Sequence, residues 1–546
     1  MKKQVDYVLQ NWRSGITVAL VNIPLSMALA IASGATPTQG IITAFWAGLV
    51  ASFFGGSHYN IVGPTGALSG FLFGFAVFYG WNALPLLALF SGILMLFAFF
   101  FRLDRYIIFI PRSVVYGFTL GIAIILILGQ VDNALGIYTV EKGESVLENT
   151  FIILQHISEV QLPIVLLFLF SMGFLLIWRK KIKKFPGAIV LALLGVIASW
   201  ITKDSSFFGI HLSTIGDKYP NIQAQIGNFF WWKGVSWDIF EEKSLWVASL
   251  AVALVAILET LLSGQIADNM THTKFNRPKE VFGLALANIF SGIFGGIPAT
   301  AALARTSLNI QSGASHRASG MLNCIFLMAI TLILFSFFRL IPLVIIASLL
   351  VFVAIFMIEK KYFRDLFEKE KFSFSLSLLV AIITVVDDPL IGILVGTVIA
   401  LLVFVSNVAK GETEVLLWRD GKMVESVLKN EFLKKVNIES DLVVYKISGT
   451  LTYLNMPAHL EAVQKIRGNQ YVIVSLRHAF YVDTDGISYL EEIIEALKEG
   501  NDKVFLSGIN PEIEKKIRKE MFYQKKIIEK KIFSRTSEAI QTIFQK

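Results

Sequence analysis

The sequence predicts an α-helical polytopic membrane protein that ends in a small α/β domain. The 546 residues are 55% hydrophobic and only 16% charged, with a mean hydropathy of +0.64. This composition is too apolar for a soluble globule with an ordinary polar surface. Long apolar segments recur between about residues 12 and 408, and beyond residue 409 lysine and glutamate become frequent. The chain therefore divides into a membrane part and a polar tail.

A helix needs about 20 apolar residues to cross a bilayer. The membrane part is long enough for about a dozen or more such helices, and we divide it into fourteen apolar segments. These segments are 12–32, 38–54, 66–79, 84–101, 111–130, 163–178, 185–202, 245–266, 281–297, 301–310, 319–338, 341–358, 373–387 and 389–408. With these boundaries the loops rich in lysine and arginine all fall on one side of the membrane. The positive-inside rule makes this side the cytoplasm, and both termini are then cytoplasmic.

The polar tail shows short apolar runs that alternate with helical patterns. The runs are 442–445, 471–474 and 503–506, and the helical patterns are 457–466 and 487–497. Strands alternating with helices predict a small cytoplasmic α/β domain. We therefore divide the chain into a transmembrane domain (1–410), a linker (411–440) and a tail domain (441–546).

Several classes of function are disfavoured by the residues that carry chemistry. The single cysteine, Cys324, lies in an apolar run and offers neither a disulfide framework nor a metal cluster. His58, His272 and His316 fall in loops without ligand spacing. No set of nucleophile, base and oxyanion donors is visible. We therefore expect no enzyme, no cofactor, no metal and no nucleic-acid partner.

A near-repeat marks a candidate binding site. Residues 64–69 nearly recur as 299–304, and each copy follows a pair of glycines, at 55–56 and 295–296. Apolar segments broken by glycine or proline at corresponding places in two halves indicate the substrate site of a repeat-built transporter. A helix that begins in mid-membrane is tolerated only where it lines a cavity.

Helix starts of this kind favour an anion, because their N–H groups and dipole carry positive charge. We predict two facing helix starts as substrate-binding elements, formed by Thr65, Gly66 and Ala67 and by Thr300, Ala301 and Ala302. The hydroxyls of Thr65 and Thr300 either cap the helices or contact the substrate.

Two charged residues fall within the apolar segments. Arg305 follows the second helix start by about one turn, and it either adds positive potential to the site or tethers the helix end through carbonyl groups. Burial favours the neutral form of a carboxyl group, so Glu259 is a candidate to gain and lose a proton. Ser263 lies one turn further on the same face. The pair alternatively supplies oxygens to Na⁺, or Glu259 has a structural role.

Five motifs, in order along nearly the whole chain, resemble those of the SulP anion permeases, whose animal relatives are sulfate and chloride-bicarbonate exchangers. The motifs are 22–30, 63–67, 267–271, 295–300 and 304–309. Residues 441–546 resemble the STAS domain that ends most of these proteins. The resemblance implies fourteen helices in two inverted seven-helix repeats, divided into core and gate domains, with elevator-type transport and a homodimer. It adds Ser26 to the substrate site and matches Glu259 to the acid that is associated with proton or sodium coupling.

Departures from the family pattern bear on the substrate. Leu25 replaces a common glutamine and Ala304 a common serine, so the site is poorer in side-chain donors. Glu259 and Ser263 stand where sodium-bicarbonate members commonly have Asp and Thr, which favours proton coupling. We predict a secondary active carrier of small anions in the bacterial inner membrane. Sulfate or a similar oxyanion is the substrate we expect first. Bicarbonate, with sodium coupling, and C4-dicarboxylates are the alternatives within the family.

Two further alternatives lie outside that function. A nucleobase permease shares the fold, but no second carboxylate faces Glu259, and Arg305 argues against it. A membrane anion sensor would signal through the tail domain to a cytoplasmic protein. In that domain Thr484 stands where soluble STAS relatives carry a phosphorylated residue, and it is either a regulatory phosphosite or an N-cap for the following helix.

Overall fold

The computed structural model describes most of the chain. The described residues are 2–138, 143, 145–182, 186–203, 212–387, 389–409, 412–419, 422–426, 440–466, 470–499, 503–519 and 532–544. Their contacts divide the chain into two compact units, Met1–Val398 and Ile399–Lys546. The first unit is helical, and the second is built on one mixed sheet.

The first unit is a set of helices joined mainly by short loops. They are α1 (Lys2–Ala32), α2 (Pro37–Phe54), α3 (Gly66–Tyr79), α4 (Leu84–Phe100), α5 (Arg112–Leu128), α6 (Val131–Leu135), α7 (Val146–Gln155), α8 (Leu162–Lys181), α9 (Gly187–Lys203), α10 (Ile215–Lys218), α11 (Lys243–Thr271), α12 (Arg277–Ile293), α13 (Leu303–Gln311), α14 (Ala318–Phe338), α15 (Leu343–Met357), α16 (Lys360–Lys369), α17 (Lys371–Val386) and α18 (Pro389–Ala409).

Each of the fourteen predicted membrane segments overlaps one of these helices. Among the described residues, nine helical segments are long and apolar enough to cross a membrane, and α3, α9 and α17 belong to a set of shorter apolar helices. The predicted segment 281–297 is shifted to Arg277–Ile293, because Asn276 caps its start and the chain turns at Gly295 with a φ of +81°. The number of helices that cross the membrane stays a prediction.

The helices of the first unit pack in two groups. One group joins α1, α2 and α4 to α11, α12 and α14, and the other joins α5 to α15 and α17. Glycine allows the closest approaches: a Cβ atom on Gly92 of α4 would lie 2.8 Å from the backbone nitrogen of Ile289 in α12. A Cβ atom on Gly117 of α5 would lie 2.3 Å from the carbonyl oxygen of Ser377 in α17. These contacts leave no space for a larger residue.

Two short strands join the halves of the first unit immediately before α3 and α13. Strand β1 (Val62–Gly63) pairs antiparallel with β2 (Thr300–Ala301), and the register matches Val62 with Ala301 and Gly63 with Thr300. Both strands are buried. With fourteen and nine residues, α3 and α13 are too short to span a bilayer. The two segments that lead into α3 and α13 are thus held side by side by strand pairing.

The second unit is an α/β domain, as the sequence predicts. Its strands are β3 (Glu412–Arg419), β4 (Lys422–Ser426), β5 (Leu442–Leu451), β6 (Tyr471–Val482), β7 (Lys503–Ser507) and β8 (Ile532–Phe533), in the spatial order β4-β3-β5-β6-β7-β8. Its described helices are α19 (Met456–Val463), α20 (Thr484–Glu499), α21 (Pro511–Lys519) and α22 (Thr536–Phe544). Strands β5 to β8 are parallel, and their apolar faces pack against these helices.

Part of the segment 411–440, which the sequence assigns to a linker, belongs to this sheet. Strand β3 pairs antiparallel with both β4 and β5. Val415 and Leu417 are buried in the larger apolar cluster on one face of the sheet, whereas Leu416 and Trp418 point to the other face and pack against a smaller apolar cluster. The sheet therefore begins about thirty residues before the predicted start of the tail domain.

Candidate functional site

The start of α3 is built as the sequence predicts. Thr65 has an extended backbone and is the N-cap, and its hydroxyl accepts a hydrogen bond from the N–H of Ala67 at 3.3 Å. The N–H groups of the first turn, including that of Gly66, have no carbonyl partner within the helix. A buried helix start with this geometry attracts negative charge.

Glu259 of α11 lies at this helix start. The Thr65 hydroxyl is 3.0 and 3.1 Å from its two carboxylate oxygens, so one threonine both caps α3 and donates to Glu259. The Glu259 side chain is partly exposed, whereas the neighbouring Leu258 and Thr260 are buried. The carboxyl group therefore lies beside the first turn of α3.

Arg305 approaches the same place from α13. Its side chain is 1% exposed. One terminal nitrogen donates to Asn22 Oδ1 at 3.0 Å, and the other donates to the carbonyl oxygen of Pro64. Glycine at position 63 admits the guanidinium, because a Cβ atom there would lie 2.7 Å from Arg305 Nη1. Arg305 thus tethers the chain entering α3, which was one of the two roles predicted for it.

Two buried donors in this cluster lack an acceptor among the described residues. They are Arg305 Nε and Asn22 Nδ2. The orientation of the Asn22 amide is fixed, because its Oδ1 also accepts from the Ser26 hydroxyl at 2.9 Å. The reverse orientation would set its NH₂ group against the arginine donors. A buried donor without a partner costs about 1–3 kcal/mol, so this arrangement is suited to an added acceptor.

The second helix start differs from its prediction. Helix α13 begins at Leu303 after an N-cap at Ala302, so Thr300 and Ala301 lie in β2 and not in a helical turn. The N–H of Ala301 donates to Thr260 Oγ1 at 3.1 Å, and that of Ala302 donates to the Ile61 carbonyl at 3.3 Å. These two amides are therefore already used within the protein.

The Thr300 hydroxyl does not cap α13. It lies 3.0 Å from the Thr260 hydroxyl and 3.3 Å from the Ala256 carbonyl, both on α11. The sequence repeat aligns Thr65 with Thr300, but the strand register pairs Thr300 with Gly63. Because Ala302 has no side-chain oxygen, no capping signal in the sequence marks the start of α13.

Ser263 is placed in an internal network. Its hydroxyl is buried and lies 3.1 Å from Asn60 Oδ1 and 3.0 Å from Thr306 Oγ1. Asn60 in turn donates to the Thr260 carbonyl at 3.2 Å. Ser263 therefore connects α11 to the loop before β1 and to α13. The structure brings Glu259, but not the Ser263 hydroxyl, into contact with Thr65.

Glu280 in the first turn of α12 is a site-supporting residue that the sequence analysis missed. It is 3% exposed. One carboxylate oxygen accepts the N–H groups of Gly56 and Ser57, and the other accepts the Asn60 amide, each at 2.7 Å. Glu280 thus fixes the loop between α2 and β1. An acid directly before an apolar segment, close to a helix N-cap, is the signal that would have found it.

Thr484 in the second unit is exposed and is not the N-cap. Helix α20 begins at Thr484, one turn earlier than predicted, so the cap position falls on Asp483. Asp483 Oδ1 accepts the N–H of Gly486 at 2.7 Å. The capping interpretation of Thr484 is therefore wrong, whereas its role as a regulatory phosphosite stays a prediction.

These features define a polytopic helical membrane protein with a buried polar site between two short helices and a separate α/β unit. The chain belongs to the sulfate permease family, whose sequence profile matches residues 9–382, and a STAS domain profile matches residues 434–539. A putative sulfate transporter of Bacillus subtilis (strain 168), YvdB, is 31% identical over 517 residues, which cover 94% of this chain and 93% of that protein.

Other relatives are more distant. The bicarbonate transporter BicA of Picosynechococcus sp. is 26% identical over 405 residues, covering 72% of this chain and 68% of that one. The solved membrane domain of a cyanobacterial BicA is similar with a TM-score of 0.63 at 25% identity, over 71% of this chain and 97% of that one. The solved structure of SLC26A9 is similar with a TM-score of 0.84 at 16% identity. The match covers 99% of this chain and 90% of that one, and the two proteins share the fold.

Proposed function

We propose that this protein is a secondary active transporter of small anions, with sulfate or a similar inorganic oxyanion as its first substrate. The observation that carries the proposal is the pair of buried, unpartnered donors Arg305 Nε and Asn22 Nδ2 beside the start of α3. A guanidinium, an amide and helix N–H groups together suit an oxyanion. In this arrangement the Ser26 hydroxyl orients Asn22, and its contact with the anion stays part of the proposal.

The names of relatives support sulfate and keep bicarbonate as the alternative. Two Bacillus subtilis relatives are named putative sulfate transporters, and the BicA relatives are named bicarbonate transporters. A C4-dicarboxylate is the third candidate. The only cationic side chain at the described site is Arg305, and the remaining donors are neutral, so size and desolvation would set the choice among these anions.

Proton coupling is favoured by the place of Glu259. An ionised carboxylate at the start of α3 competes with an anion for the same positive helix end, and protonation removes this repulsion. Proton and anion would therefore bind together and move together. Sodium coupling is the alternative, with Glu259 as an oxygen ligand. Movement of the site across the membrane would follow the elevator mechanism, in a homodimer in the bacterial inner membrane with both termini in the cytoplasm.

The test is uptake of labelled sulfate into proteoliposomes under an inward proton gradient, repeated under a sodium gradient, with bicarbonate, fumarate and chloride as competitors. We expect proton-driven accumulation of sulfate. In Glu259→Gln, gradient-driven accumulation should be lost while anion exchange persists in part. Accumulation of another anion without sulfate flux would identify bicarbonate or a dicarboxylate, and not sulfate, as the substrate class. Binding without any flux would favour a sensor that signals through the STAS domain.

A further inference from the structure

The end of α8, the start of α5 and the helix α16 meet through two contacts in the first unit. Arg179, in the last turn of α8, lies over the ring of Phe356 near the end of α15, with 3.5 Å from Cζ to the ring centre. Tyr116, in the second turn of α5, packs against Tyr362 of α16 with ring centres 3.9 Å apart and the rings tilted by 32°. The end of α8, the start of α5 and the helix α16 therefore form one continuous surface.

This surface is rich in exposed cations. We define the basic face as the seven residues Arg105, Arg112, Lys180, Lys181, Lys360, Lys361 and Arg364, all exposed. None of them forms an ion pair with a carboxylate in the part of the chain that the structure describes. Five acids accompany them: Asp365 and Glu368 lie on α16, Glu359 and Glu370 flank that helix, and Asp104 precedes Arg105 in the sequence. Of these, Asp365 is 4.0 Å from Lys369. The seven cations of the basic face therefore outnumber the five acids by two.

Aromatic side chains project beside these cations. Tyr106, Phe109 and Phe367 are each more than half exposed. Helix α16 is short and joins two strongly apolar helices, α15 and α17. A helix in this position lies where the apolar helices leave the hydrocarbon, and exposed aromatics mixed with Lys and Arg are typical of the membrane interface.

We propose that the basic face binds the phosphate groups of anionic phospholipids in the adjacent leaflet. Clusters of four to eight Lys and Arg next to a membrane helix attract anionic head groups. The basic face has seven such residues, and they lie at the ends of apolar helices. The exposed rings of Tyr106, Phe109 and Phe367 would enter the head-group layer beside the phosphates. A soluble polyanion would use the cations and leave these rings in water, so the lipid accounts for both features.

The test is native mass spectrometry of the full-length protein with phosphatidylglycerol or phosphatidylcholine added in detergent. We expect bound phosphatidylglycerol in the wild-type protein. The triple variant Lys360→Gln/Lys361→Gln/Arg364→Gln should bind it at least about 10-fold more weakly. The matched control is Lys274→Gln/Arg277→Gln/Lys279→Gln, which removes three exposed cations from the loop after α11 and the first turn of α12 and should retain the lipid.

Two results would overturn the proposal. One is equal binding of phosphatidylglycerol by the wild-type protein and the α16 triple variant. The other is an equal loss in both triple variants, which would assign lipid binding to overall charge. A Lys360→Arg/Lys361→Arg/Arg364→Lys variant keeps the cations and should bind the lipid like the wild-type protein, and this separates loss of charge from loss of folding.

Discussion

Arg305 is the residue on which the geometry of the site depends. Its two terminal nitrogens hold Asn22 of α1 and the Pro64 carbonyl, while its Nε has no acceptor among the described residues. The same guanidinium therefore fixes the protein around the proposed site, and we expect its Nε to donate to the bound anion. Only a planar group with several donors can do both, since lysine is a single point charge.

Replacing Arg305 with lysine tests this double role. We expect Arg305→Lys to weaken anion binding by roughly 10- to 100-fold, because charge-assisted hydrogen bonds contribute about 1.5–3 kcal/mol each. Isothermal titration of the purified transporter with sulfate measures the affinity. Arg317→Lys is the matched control, since Arg317 lies in a partly exposed position and donates to the Phe53 carbonyl. An unchanged affinity in Arg305→Lys would reduce Arg305 to its tethering role.

His459 makes the second unit sensitive to acid. Burial lowers its pKa to about 4, and its Nδ1 lies 2.9 Å from the Tyr445 hydroxyl. In the unfolded chain this imidazole takes up a proton near pH 6.5. The unfolded state therefore binds more protons as the pH falls from about 6.5 to about 4, and the unit loses up to roughly 3 kcal/mol of stability across this window.

Limited proteolysis of the STAS unit in the full-length protein, between pH 7 and pH 4.5, measures this loss. We expect His459→Gln to flatten the dependence, because glutamine stays neutral and can still accept from Tyr445. His478→Gln removes an exposed histidine of the same unit and should behave like the wild-type protein. The same acid sensitivity in His459→Gln would assign it to other groups.

Among the elements, the loop between α2 and β1 depends most on one side chain. Glu280→Gln replaces one acceptor oxygen with an NH₂ group, which must face the N–H groups of Gly56 and Ser57 or the amide of Asn60. We expect a loss of about 2 kcal/mol or more, since at least one buried donor loses its partner. Thermal unfolding in detergent should show a lower Tm, whereas Glu368→Gln, at an exposed position of α16, should not. Equal Tm values would contradict this role of Glu280.

The sequence predicts helix positions well because each membrane helix needs a long apolar segment, and this signal is local. It also predicts the start of α3, where Thr65 supplies a cap. It does not predict the start of α13, because Ala302 carries no capping side chain and the pairing of β1 with β2 sets the register. Long-range contacts place the hydroxyls of Ser263 and Thr300 against internal partners, which the sequence does not predict. The roles of both residues at the site stay predictions.

At the scale of the whole molecule, the boundary between the two units affects how the protein can be shortened. Strands β3 and β4 depend on β5, so a chain that ends at residue 440 keeps two strands without the rest of their sheet. We expect this variant to aggregate through the exposed edge of β3. A chain that ends at residue 411 avoids this edge, and size-exclusion chromatography should show it to be monodisperse.

Uptake measurements on the chain that ends at residue 411 test the role of the STAS unit. The residues of the proposed anion site all precede residue 306, so we expect the order of competing anions to be unchanged. The rate or the expression level should change instead. A different order of competitors would show that the STAS unit takes part in substrate choice.

The pairing of β1 with β2 also orders events during biosynthesis. Val62 and Gly63 are synthesised long before their strand partners Thr300 and Ala301. The Pro64 carbonyl is likewise synthesised long before its donor Arg305. Helix α3 must therefore be held in or near the bilayer while more than two hundred further residues are translated. The Pro64 carbonyl lacks its Arg305 donor during that interval. The proposed site is thus completed after insertion of the first helices. Nascent chains that stop before residue 300 contain every contact of α1 and α2 with each other but lack β2 and Arg305.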